Sequence, residues 1–492
     1  MEDDLLDVLI VGAGISGIGA AAHLKRLCPD RRWAIVEARD RLGGTWDLFR
    51  YPGVRSDSDM HTLGYSFRPW TGEKAIAEGP TILRYLEETA REEGIDREIR
   101  YGHRVRRAAW SSADAAWTVE IERDGAAPLV LLTRFVMMCG GYYDYDQGYL
   151  PDYPGRERYR GPLVHPQRWT EDIDYAGKRV VVIGSGATAV TLVPALAERA
   201  AHVTMLQRSP TYMLSRPSID ALETKLRRWI GARAAHGVTR WKNVLMGQYL
   251  FRVCRRQPAR VKQWLVGMVR KQLEPGYDVA THFTPRYNPW EQRLCLVPDG
   301  DLFNAIRAGT VDVVTDEIDT FVENGIRLKS GRVLEADLVV SATGLVMKAT
   351  KIDVTVDGRP MVPSESVSYK GAMFAGVPNF VWVFGYTNAS WTLKADLVAR
   401  WFCRILNHMR RSGARVCMPP PADPSMPRLP WVDFSSGYFR RALAELPRQG
   451  PVRPWRLNQN YLVDVAALRF GRIDDGILRF GRIDDGVLRF AT

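Results

Sequence analysis

The chain begins with a pattern that is typical of a buried strand followed by a helix. Residues 7–11 are a short, almost continuous apolar run, as expected for a strand that is covered on both faces. A glycine-rich turn and an alanine-rich helical segment follow, to about Leu27. A second apolar run, residues 33–36, ends at Glu37. Strand, glycine turn, helix, strand and acid in this order predict a dinucleotide-binding unit.

The glycine turn has G-x-G-x-x-G spacing, with Gly12, Gly14 and Gly17 at the three glycine positions. The first glycine makes the tight turn, the second lets the backbone approach a pyrophosphate, and the third lets helix and strand pack closely. The helix N-terminus, which includes Ser16, offers free N–H groups to phosphates. Glu37 can hydrogen-bond a ribose diol. The alternative is a glycine turn that binds no ligand.

A second strand and glycine turn lies near the middle of the chain. Residues 179–183 are apolar and lead into a G-x-G-x-x-A turn, which the dinucleotide fingerprint allows. The next predicted strand, residues 202–206, is followed by glutamine, arginine and serine instead of an acid. A cation and a hydroxyl suit a 2′-phosphate, although the arginine alone is also typical of a solvated surface. The predicted contacts of this second site are Gly184, Gly186, Thr188, Ala189, Arg208 and Ser209.

Two such sites, one with an acid and one with an arginine, predict FAD in the first and NADPH in the second. The predicted fold class is α/β, with two Rossmann-like dinucleotide-binding domains. Similar strand-to-glycine turns at residues 135–141 and 334–344 indicate where the chain leaves the first domain and returns to it. We therefore predict an NADPH domain, residues 146–335, inserted in an FAD domain made of residues 1–145 and 336–492.

The net charge of +12 is concentrated in one segment. Residues 224–272 contain 13 Lys or Arg and no Asp or Glu, so 12 − 13 leaves about −1 for the rest of the chain. Such a local excess does not indicate nucleic-acid binding. Apolar residues recur there at helical spacing, which predicts a helical insert at about residues 218–285. Three interpretations stay open: a solvated basic face over a packed apolar one, peripheral contact with anionic lipid, and attraction to the cofactor phosphates.

The six cysteines are scattered and show no C-x-x-C spacing. We therefore predict no metal site, and no dithiol of the kind that flavin disulfide reductases use, so dioxygen becomes the expected electron acceptor. No apolar run approaches the roughly 18–20 residues that cross a bilayer. Residues 1–4 are acidic where a signal peptide is basic, so we expect a cytoplasmic protein, with any membrane association made by the basic segment.

The end of the chain carries a short tandem duplication. Residues 468–477 recur almost unchanged as residues 478–487. Two copies of ten residues are too few for a solenoid, which needs at least three larger units. We assign this repeat no role.

The segment between the two nucleotide sites carries a family resemblance. Tyr159, Gly161, His165 and Trp169 form Y-x-G-x-x-x-H-x-x-x-W. This resembles the fingerprint F-x-G-x-x-x-H-x-x-x-W of the class B flavoprotein monooxygenases, the Baeyer–Villiger family. Tyrosine replaces phenylalanine, and Thr170 stands where the family usually has proline or aspartate.

Further segments resemble the same family, above all its mycobacterial members, over about residues 5–475. Residues 43–46 and 51–57 are similar to the segment that covers the flavin, and residues 388–392 are similar to a segment near the flavin end. The resemblance adds these contacts to the predicted flavin site: Gly44, Thr45, Trp46 and Asp57.

The resemblance implies that NADPH reduces FAD and that a C4a-peroxyflavin then inserts one oxygen atom of O2 into a small hydrophobic ketone. The product is an ester or a lactone, and sulfur-containing substrates such as thioamides or sulfides are also implied. The family's active-site arginine corresponds to Arg293, and the acid that orients and tunes it corresponds to Asp57. A guanidinium keeps its proton at neutral pH, so it stabilises a peroxide anion without quenching it.

Alternatives stay open for the function and for single residues. The chain also fits an S- or N-oxidising flavin monooxygenase, or a non-catalytic flavoprotein that binds NADPH. Asp57 is also typical of a turn cap, and Arg293 of a surface ion pair. For His165 we expect a structural role that couples the domains. Gln292 stands where the family often has a lysine, which leaves the preference for NADPH over NADH open.

Overall fold

A computed structural model describes residues 5–432, 434, 436–484 and 487–490. Within them, the strands are β1 (Leu6–Val11), β2 (Trp33–Val36), β3 (Ile99–Arg100), β4 (His103–Ser111), β5 (Ala116–Arg123), β6 (Ala126–Met138), β7 (Tyr143–Gly148), β8 (Leu163–Val164), β9 (Arg179–Ile183), β10 (His202–Gln207), β11 (Met213–Arg216), β12 (Cys295–Pro298), β13 (Val311–Thr315), β14 (Ile318–Val322), β15 (Gly325–Leu328), β16 (Val333–Glu335), β17 (Leu338–Ser341), β18 (Leu345–Met347), β19 (Asp353–Val356), β20 (Arg359–Pro360), β21 (Ser368–Tyr369), β22 (Met373–Phe374), β23 (Phe380–Trp382), β24 (Val416–Met418), β25 (Leu429–Pro430), β26 (Arg448–Gln449), β27 (Arg479–Asp484) and β28 (Val487–Phe490). The helices are α1 (Ile15–Leu27), α2 (Thr45–Leu48), α3 (Met60–Leu63), α4 (Gly79–Glu92), α5 (Ala187–Ala197), α6 (Ala221–Arg256), α7 (Pro258–Arg270), α8 (Val279–Phe283), α9 (Asp301–Arg307), α10 (Trp391–Ser412), α11 (Gly437–Ala442) and α12 (Tyr461–Asp464).

The first sheet is built around the first glycine turn. Strands β3, β2, β1, β6 and β23 lie side by side in this order, and all are parallel. The central strand β1 is apolar because helices cover the sheet, and its residues Val8, Leu9 and Ile10 are fully buried. The long strand β6 also pairs with the antiparallel strands β5 and β4. This strand order opens a ligand crevice at the carboxyl end of β1.

The second sheet repeats this plan around the second glycine turn. Strands β13, β10, β9, β17 and β8 lie side by side in this order and are all parallel. Helix α5 follows the turn, and its buried side packs into the core of this sheet. The two parallel sheets confirm the predicted α/β fold class with two Rossmann-like domains.

The chain returns to the first domain later than the predicted boundary at residue 336. Strand β17 pairs with β9, with Val339 opposite Val181, so it belongs to the second sheet. The return follows Gly344, where β18 pairs antiparallel with β7. The segment that leaves the first domain, β7, and the segment that returns to it, β18, therefore lie side by side. The prediction is wrong here because a fully buried apolar strand fits either sheet equally well.

The helical insert consists of α6, α7 and α8, within the predicted limits of about residues 218–285. The Asp220 carboxylate caps α6 by accepting two N–H hydrogen bonds from its first turn. Gly231, with φ of +75°, interrupts α6. After this interruption, Arg240 donates a hydrogen bond of 2.7 Å to the carbonyl oxygen of His61, which lies in α3. The Nδ1 atoms of His236 and His61 are 3.3 Å apart. The insert thus packs against the first domain through polar groups.

The duplicated segment adopts two different structures. In the first copy, Leu468 is fully buried in a π-helical turn that follows α12, and the Asp475 carboxylate lies 2.8 Å from Lys370 Nζ. The second copy starts at the buried Leu478 and continues as β27, which pairs with β24. The first copy therefore has a structural role that its sequence did not predict. Residues 485–486 and 491–492, and the acidic residues 1–4, lie outside the described residues.

Deletion of residues 479–492 should be tolerated better than deletion of residues 468–492. The short deletion removes β27 and β28, two strands of a small three-stranded sheet, whereas the long one also removes Leu468 and Asp475, the partner of Lys370. Burial of one leucine side chain contributes about 1.5–3 kcal/mol. Thermal unfolding of both variants should therefore show a clearly lower midpoint for the long deletion. Equal midpoints would show that the first copy does not stabilise the fold.

Candidate active site

The first glycine turn forms a cradle at the carboxyl end of β1. Gly12 has φ of +105°, and a Cβ added there would lie 3.0 Å from the Cys139 carbonyl oxygen. A Cβ on Gly17 would lie 1.8 Å from the Gly12 carbonyl oxygen, so α1 packs this closely only because residue 17 lacks a side chain. A Cβ on Gly14 would lie 3.6 Å from the Gly44 Cα. The turn that contains Gly14 thus faces the turn that contains Gly44. Because both residues are glycines, backbone atoms rather than side chains line the cradle at this point.

Glu37 lies at the end of β2 and is only 6% exposed. Its carboxylate accepts the N–H of Ala13 at 2.7 Å and the N–H of Arg39 at 3.0 Å, so it is fixed across the glycine turn. It lines a cavity of about 970 Å³, which we call the first nucleotide cavity. Lys351 lines the same cavity, and burial lowers its pKa to about 8. Sequence patterns missed this lysine because it lies far along the chain from the glycine motif.

A second cavity, the central cavity, holds most of the predicted flavin contacts. The Trp391 Nε1–H donates to the Ser16 hydroxyl at 2.7 Å, which joins the start of α10 to the start of α1. The Thr45 and Tyr145 hydroxyls are 3.4 Å apart. The predicted site residues that line this cavity are Gly14, Ser16, Thr45, Trp46, Asp57, Thr188 and Arg293. Three further lining residues that the sequence did not single out are Tyr142, Tyr143 and Tyr145.

Arg293 and Asp57 form an ion pair in the wall of the central cavity. Arg293 Nη1 donates to the Asp57 carboxylate at 2.7 Å. The Asp57 charge raises the pKa of Arg293 well above its ordinary value, although burial acts in the opposite direction. About a third of each side chain is exposed, 32% for Arg293 and 34% for Asp57, so the pair leaves part of the guanidinium open to the cavity. A permanent positive charge thus faces the central cavity.

The phenols beside this pair stay neutral. Burial raises the pKa of Tyr143 well above its ordinary value, and the neighbouring Arg293 charge only partly offsets this effect. Burial also raises the pKa of Tyr438, which is close enough to Arg293 to interact with its charge. Neutral phenols do not cancel the positive charge of the guanidinium.

The second glycine turn forms a similar cradle. Gly184 has φ of +129°, and a Cβ there would lie 2.5 Å from the backbone oxygen of Ala342, whereas nothing lies within 4 Å of a Cβ on Gly186. Ala189 stands at the third position of the fingerprint, where helix and strand pack closely, and it is fully buried. The predicted residues Arg208 and Ser209 are exposed at the edge of a cavity of about 720 Å³, the second nucleotide cavity.

The three cavities lie in series. The first nucleotide cavity and the central cavity share Gly14 and Tyr145 in their walls. The central cavity and the second nucleotide cavity share Tyr143, Thr188 and Arg293. Two elongated ligands, one in each cradle, can therefore meet in the central cavity, and Arg293 stands at the junction.

The fingerprint residues lie outside the walls of these cavities. His165 Nδ1 accepts the Gln167 N–H at 3.2 Å, and its Nε2 lies 3.0 Å from the Gly344 carbonyl oxygen, to which it donates. Burial lowers the pKa of His165, which favours this neutral form. Trp169 packs in the core of the second domain, and Gly161 leaves room for the Tyr159 ring. His165 thus connects its own segment to Gly344, and its domain-coupling role stays a prediction.

The described residues form neither a cluster of metal ligands nor a membrane-spanning helix. No group of three or more His, Cys, Asp or Glu side chains in residues 5–432, 434, 436–484 and 487–490 is arranged to hold a metal ion. In the same part of the chain, no helix is both long enough and apolar enough to cross a membrane.

Comparison with known families agrees with this geometry. The model of flavin-binding monooxygenase-like proteins matches residues 76–413, more than half of the chain, and that of the NAD(P)-binding Rossmann-like domain matches residues 10–71. The chain belongs to the flavin-binding monooxygenase-like family. Among the relatives of this monooxygenase, the FAD-containing monooxygenase EthA of Mycobacterium tuberculosis is 52% identical over 472 residues, which cover 96% of each chain. The probable FAD-binding monooxygenase AlmA of Acinetobacter baylyi is 47% identical over 96% of this chain and 95% of that one. These matches confirm the prediction that the chain is a flavoprotein monooxygenase.

Solved structures share the fold of this monooxygenase. An oxidised steroid monooxygenase bound to NADP superimposes with a TM-score of 0.72 at 24% identity, over 85% of this chain and 88% of that one. An open crystal structure of cyclohexanone monooxygenase gives a TM-score of 0.71 at 21% identity, over 85% and 90% of the two chains. These similarities show that the chain shares the overall fold of these two enzymes.

Two glycine-to-alanine substitutions should separate folding from binding in this monooxygenase. Gly17→Ala should prevent stable folding of the first domain, because its Cβ would lie 1.8 Å from a carbonyl oxygen. Gly186→Ala meets no atom within 4 Å, so its unfolding temperature should stay close to that of the wild type. Its methyl group faces the predicted pyrophosphate path, so the KM for NADPH should rise at least about tenfold. An unchanged KM would contradict the assignment of the second cradle.

Proposed function

We propose that this monooxygenase binds FAD in the first cradle and NADPH in the second, and that it inserts one oxygen atom of O2 into small hydrophobic ketones. The products are esters or lactones. The observation that carries the proposal is the position of Arg293, which is paired with Asp57 at the junction of the two nucleotide cavities. The names of the relatives support FAD, and the family resemblance supports the ketone as the substrate.

The first nucleotide cavity and the central cavity fit FAD. Glu37 would accept hydrogen bonds from a ribose diol, and the backbone at Gly12 and Gly14 would lie along the pyrophosphate. A Cβ at Gly12 would press on the Cys139 carbonyl oxygen, and a Cβ at Gly14 would lie 3.6 Å from the Gly44 Cα. Thr45 and Trp46 line the central cavity, where the flavin ring would lie.

The second nucleotide cavity fits NADPH. The turn at Gly184 and Gly186 would lie along its pyrophosphate, next to the N-terminus of α5. Arg208 and Ser209 supply a cation and a hydroxyl for the 2′-phosphate. Gln292 also lines this cavity but carries no charge, so Arg208 is the main expected source of the preference for NADPH over NADH.

The chain's own residues control charge in the central cavity. When bound, the flavin accepts hydride and activates O2. Arg293 supplies a fixed positive charge where negative charge develops on oxygen, and its raised pKa prevents it from giving up a proton. Asp57 orients the guanidinium and keeps it charged. Tyr143 and Tyr438 stay neutral beside the guanidinium, because burial raises the pKa of each phenol, so they do not offset its charge.

Oxidation of sulfur in thioamides or sulfides is a second candidate function of the same site. Among the described residues that line the central cavity the one carboxylate is Asp57, which Arg293 holds in an ion pair, and none is a histidine, lysine or glutamate, so the cavity offers few groups that could carry a proton. Attack by a sulfur lone pair on an oxygen atom needs no such group. Product analysis with a matched ketone and thioether would show which reaction this enzyme favours.

Replacement of Arg293 should separate flavin reduction from oxygen insertion. In Arg293→Ala, NADPH should still bleach the flavin spectrum, whereas ester formation should fall by about 100-fold or more, the usual effect of losing one such charge-stabilising group. Arg293→Lys keeps the charge and should retain part of the activity. Ester formation at the wild-type rate in Arg293→Ala would reject the proposed role. Stopped-flow spectra and product analysis supply the two readings.

We further propose peripheral contact with anionic lipid through α6. Its buried residues include the polar His236, Thr239 and Arg240, while much of its exposed surface is apolar. The interpretation of a packed apolar face under a solvated basic one holds for part of α7, and for α6 only in part, since Val244 and Cys254 pack into apolar clusters. The large apolar side chains exposed on α6 are Leu222, Trp229, Ile230, Val238, Trp241, Leu245, Met246 and Tyr249. Exposed aromatic residues beside an excess of positive charge are typical of interfacial helices.

Flotation with lipid vesicles tests this contact. The wild type should float with vesicles that contain anionic lipid at low salt, and less with purely zwitterionic vesicles. A double variant, Trp229→Ser and Tyr249→Ser, should float several-fold less, because these side chains are 86% and 71% exposed. Val130→Ser removes an exposed apolar side chain outside the insert and serves as the control. Absence of wild-type flotation at low salt would reject the contact.

A further inference from the structure

A buried lysine and a buried aspartate form an ion pair close to the central cavity. Lys394 lies near the start of α10, and Asp464 is the last residue of α12. The Lys394 Nζ atom lies 2.8 Å from an Asp464 carboxylate oxygen, and the two side chains are only 2% and 3% exposed. Charged side chains are almost never buried this fully unless they are paired, so each of these two charges depends on the other.

The same aspartate holds the side chain of Tyr386. The Tyr386 hydroxyl donates at 2.7 Å to the carboxylate oxygen that also contacts Lys394. Burial and the Asp464 charge raise the pKa of Tyr386 well above its ordinary value, so the phenol keeps its proton and remains a donor. The other carboxylate oxygen of Asp464 accepts the Asn458 side-chain N–H at 3.0 Å, so both oxygens have partners.

Tyr386 connects this ion pair to the proposed active site. It lines the central cavity and is itself only 4% exposed. Its ring packs in a small apolar cluster with Val244 of α6 and Leu393 of α10. Apolar contacts therefore hold the ring while a charged acceptor holds the hydroxyl, which leaves the side chain little freedom to change its position.

The segment around the aspartate, residues 458–464, also holds the backbone that follows the tyrosine. The Gln459 side-chain oxygen accepts the Thr387 N–H at 3.1 Å, and the Gln459 carbonyl oxygen accepts the Asn388 side-chain N–H at 2.8 Å. Gln459 has φ of +46°, in the left-handed region that residues with a side chain rarely adopt. Backbone strain of this kind often occurs at functional sites. The stretch that leads to Ala389, another lining residue of the central cavity, is thus fixed by the same segment.

A buried ion pair is a weak source of stability but a precise constraint on geometry. Well-packed apolar side chains would stabilise the fold as much or more, whereas buried charges require specific partners at specific distances. Here those partners lead to a tyrosine and a loop in the wall of the central cavity. The pair therefore fits a role in fixing the shape of this wall.

We propose that Lys394 and Asp464 are positioning residues of this monooxygenase, which together fix Tyr386 in the wall of the central cavity. This rests on the proposed function, in which flavin and substrate meet in that cavity. Neither Lys394 nor Asp464 lines the cavity, so both act through the Tyr386 side chain. Residues 458–464 thereby belong to the active site, although they lie far from the glycine turns in the sequence.

Two variants of the full-length, FAD-containing enzyme remove the constraint in different ways. Tyr386→Phe keeps the ring but loses the hydrogen bond to Asp464. The double variant Lys394→Met and Asp464→Leu removes both charges, so that no unpaired charge stays buried.

Arg404→Met is the matched control. Arg404 also joins α10 to the C-terminal part of the chain, because it donates at 2.7 Å to the carbonyl oxygens of Leu468 and Gly471. None of these three residues lines the central cavity. The control thus loosens the same helix without touching the wall of the active site.

The visible absorption and circular dichroism spectra of the bound flavin supply the decisive reading, since they respond to the surroundings of the flavin ring and need no substrate. Tyr386→Phe and the double variant should both shift these spectra, whereas the control should match the wild type. In Tyr386→Phe the KM for a ketone should also rise by about fivefold, the factor that one hydrogen bond commonly contributes to an equilibrium.

An unchanged flavin spectrum in Tyr386→Phe would overturn the proposal, even if the double variant does not fold. An equal spectral shift in Arg404→Met would also overturn it, because a general loosening of α10 would then explain the effect. If the wild type forms no ester or lactone from any ketone, the proposed function fails instead. The flavin spectra still decide in that case whether Lys394 and Asp464 position Tyr386.

Discussion

The ion pair between Arg293 and Asp57 is the contact on which the active site depends. Its partners lie 236 positions apart in the sequence, and the pair closes the central cavity where the two nucleotide cavities approach each other. The carboxylate helps to keep the guanidinium charged, because it raises an arginine pKa that is already high. In the proposed mechanism this charge would stabilise negative charge on oxygen without giving up a proton.

The parts of the site that the sequence predicted are local ones. The turns that begin at Gly12 and Gly184, and the acid Glu37, follow from the spacing of strand, glycine and helix, which a few consecutive residues determine. The pair of Arg293 and Asp57 leaves no such local pattern, and only the family resemblance pointed to it. The boundary at β17 was wrong and Lys351 was missed for the same physical reason: which sheet or cavity a segment joins depends on distant partners.

The insert shows a different limit of sequence patterns. Helical spacing of apolar residues predicted the helices of the insert, but it did not determine which face of α6 is buried. Arg240 and His236 are buried because carbonyl groups and a histidine of α3 provide partners for them. The aromatic residues Trp229 and Tyr249 are left on the outside of the same helix. The buried face of this helix therefore combines polar contacts with apolar ones, such as that of Val244 with Tyr386 and Leu393, and apolar periodicity alone does not identify it.

A crystal structure of the enzyme with FAD and NADP⁺ bound would test the central claim most directly. The account predicts the flavin ring and the nicotinamide together in the central cavity, with the Arg293 guanidinium beside them and still paired with Asp57. It also predicts the 2′-phosphate of NADP⁺ at Arg208. A complex in which Arg293 points away from both rings, or in which either dinucleotide occupies a different cavity, would contradict the account.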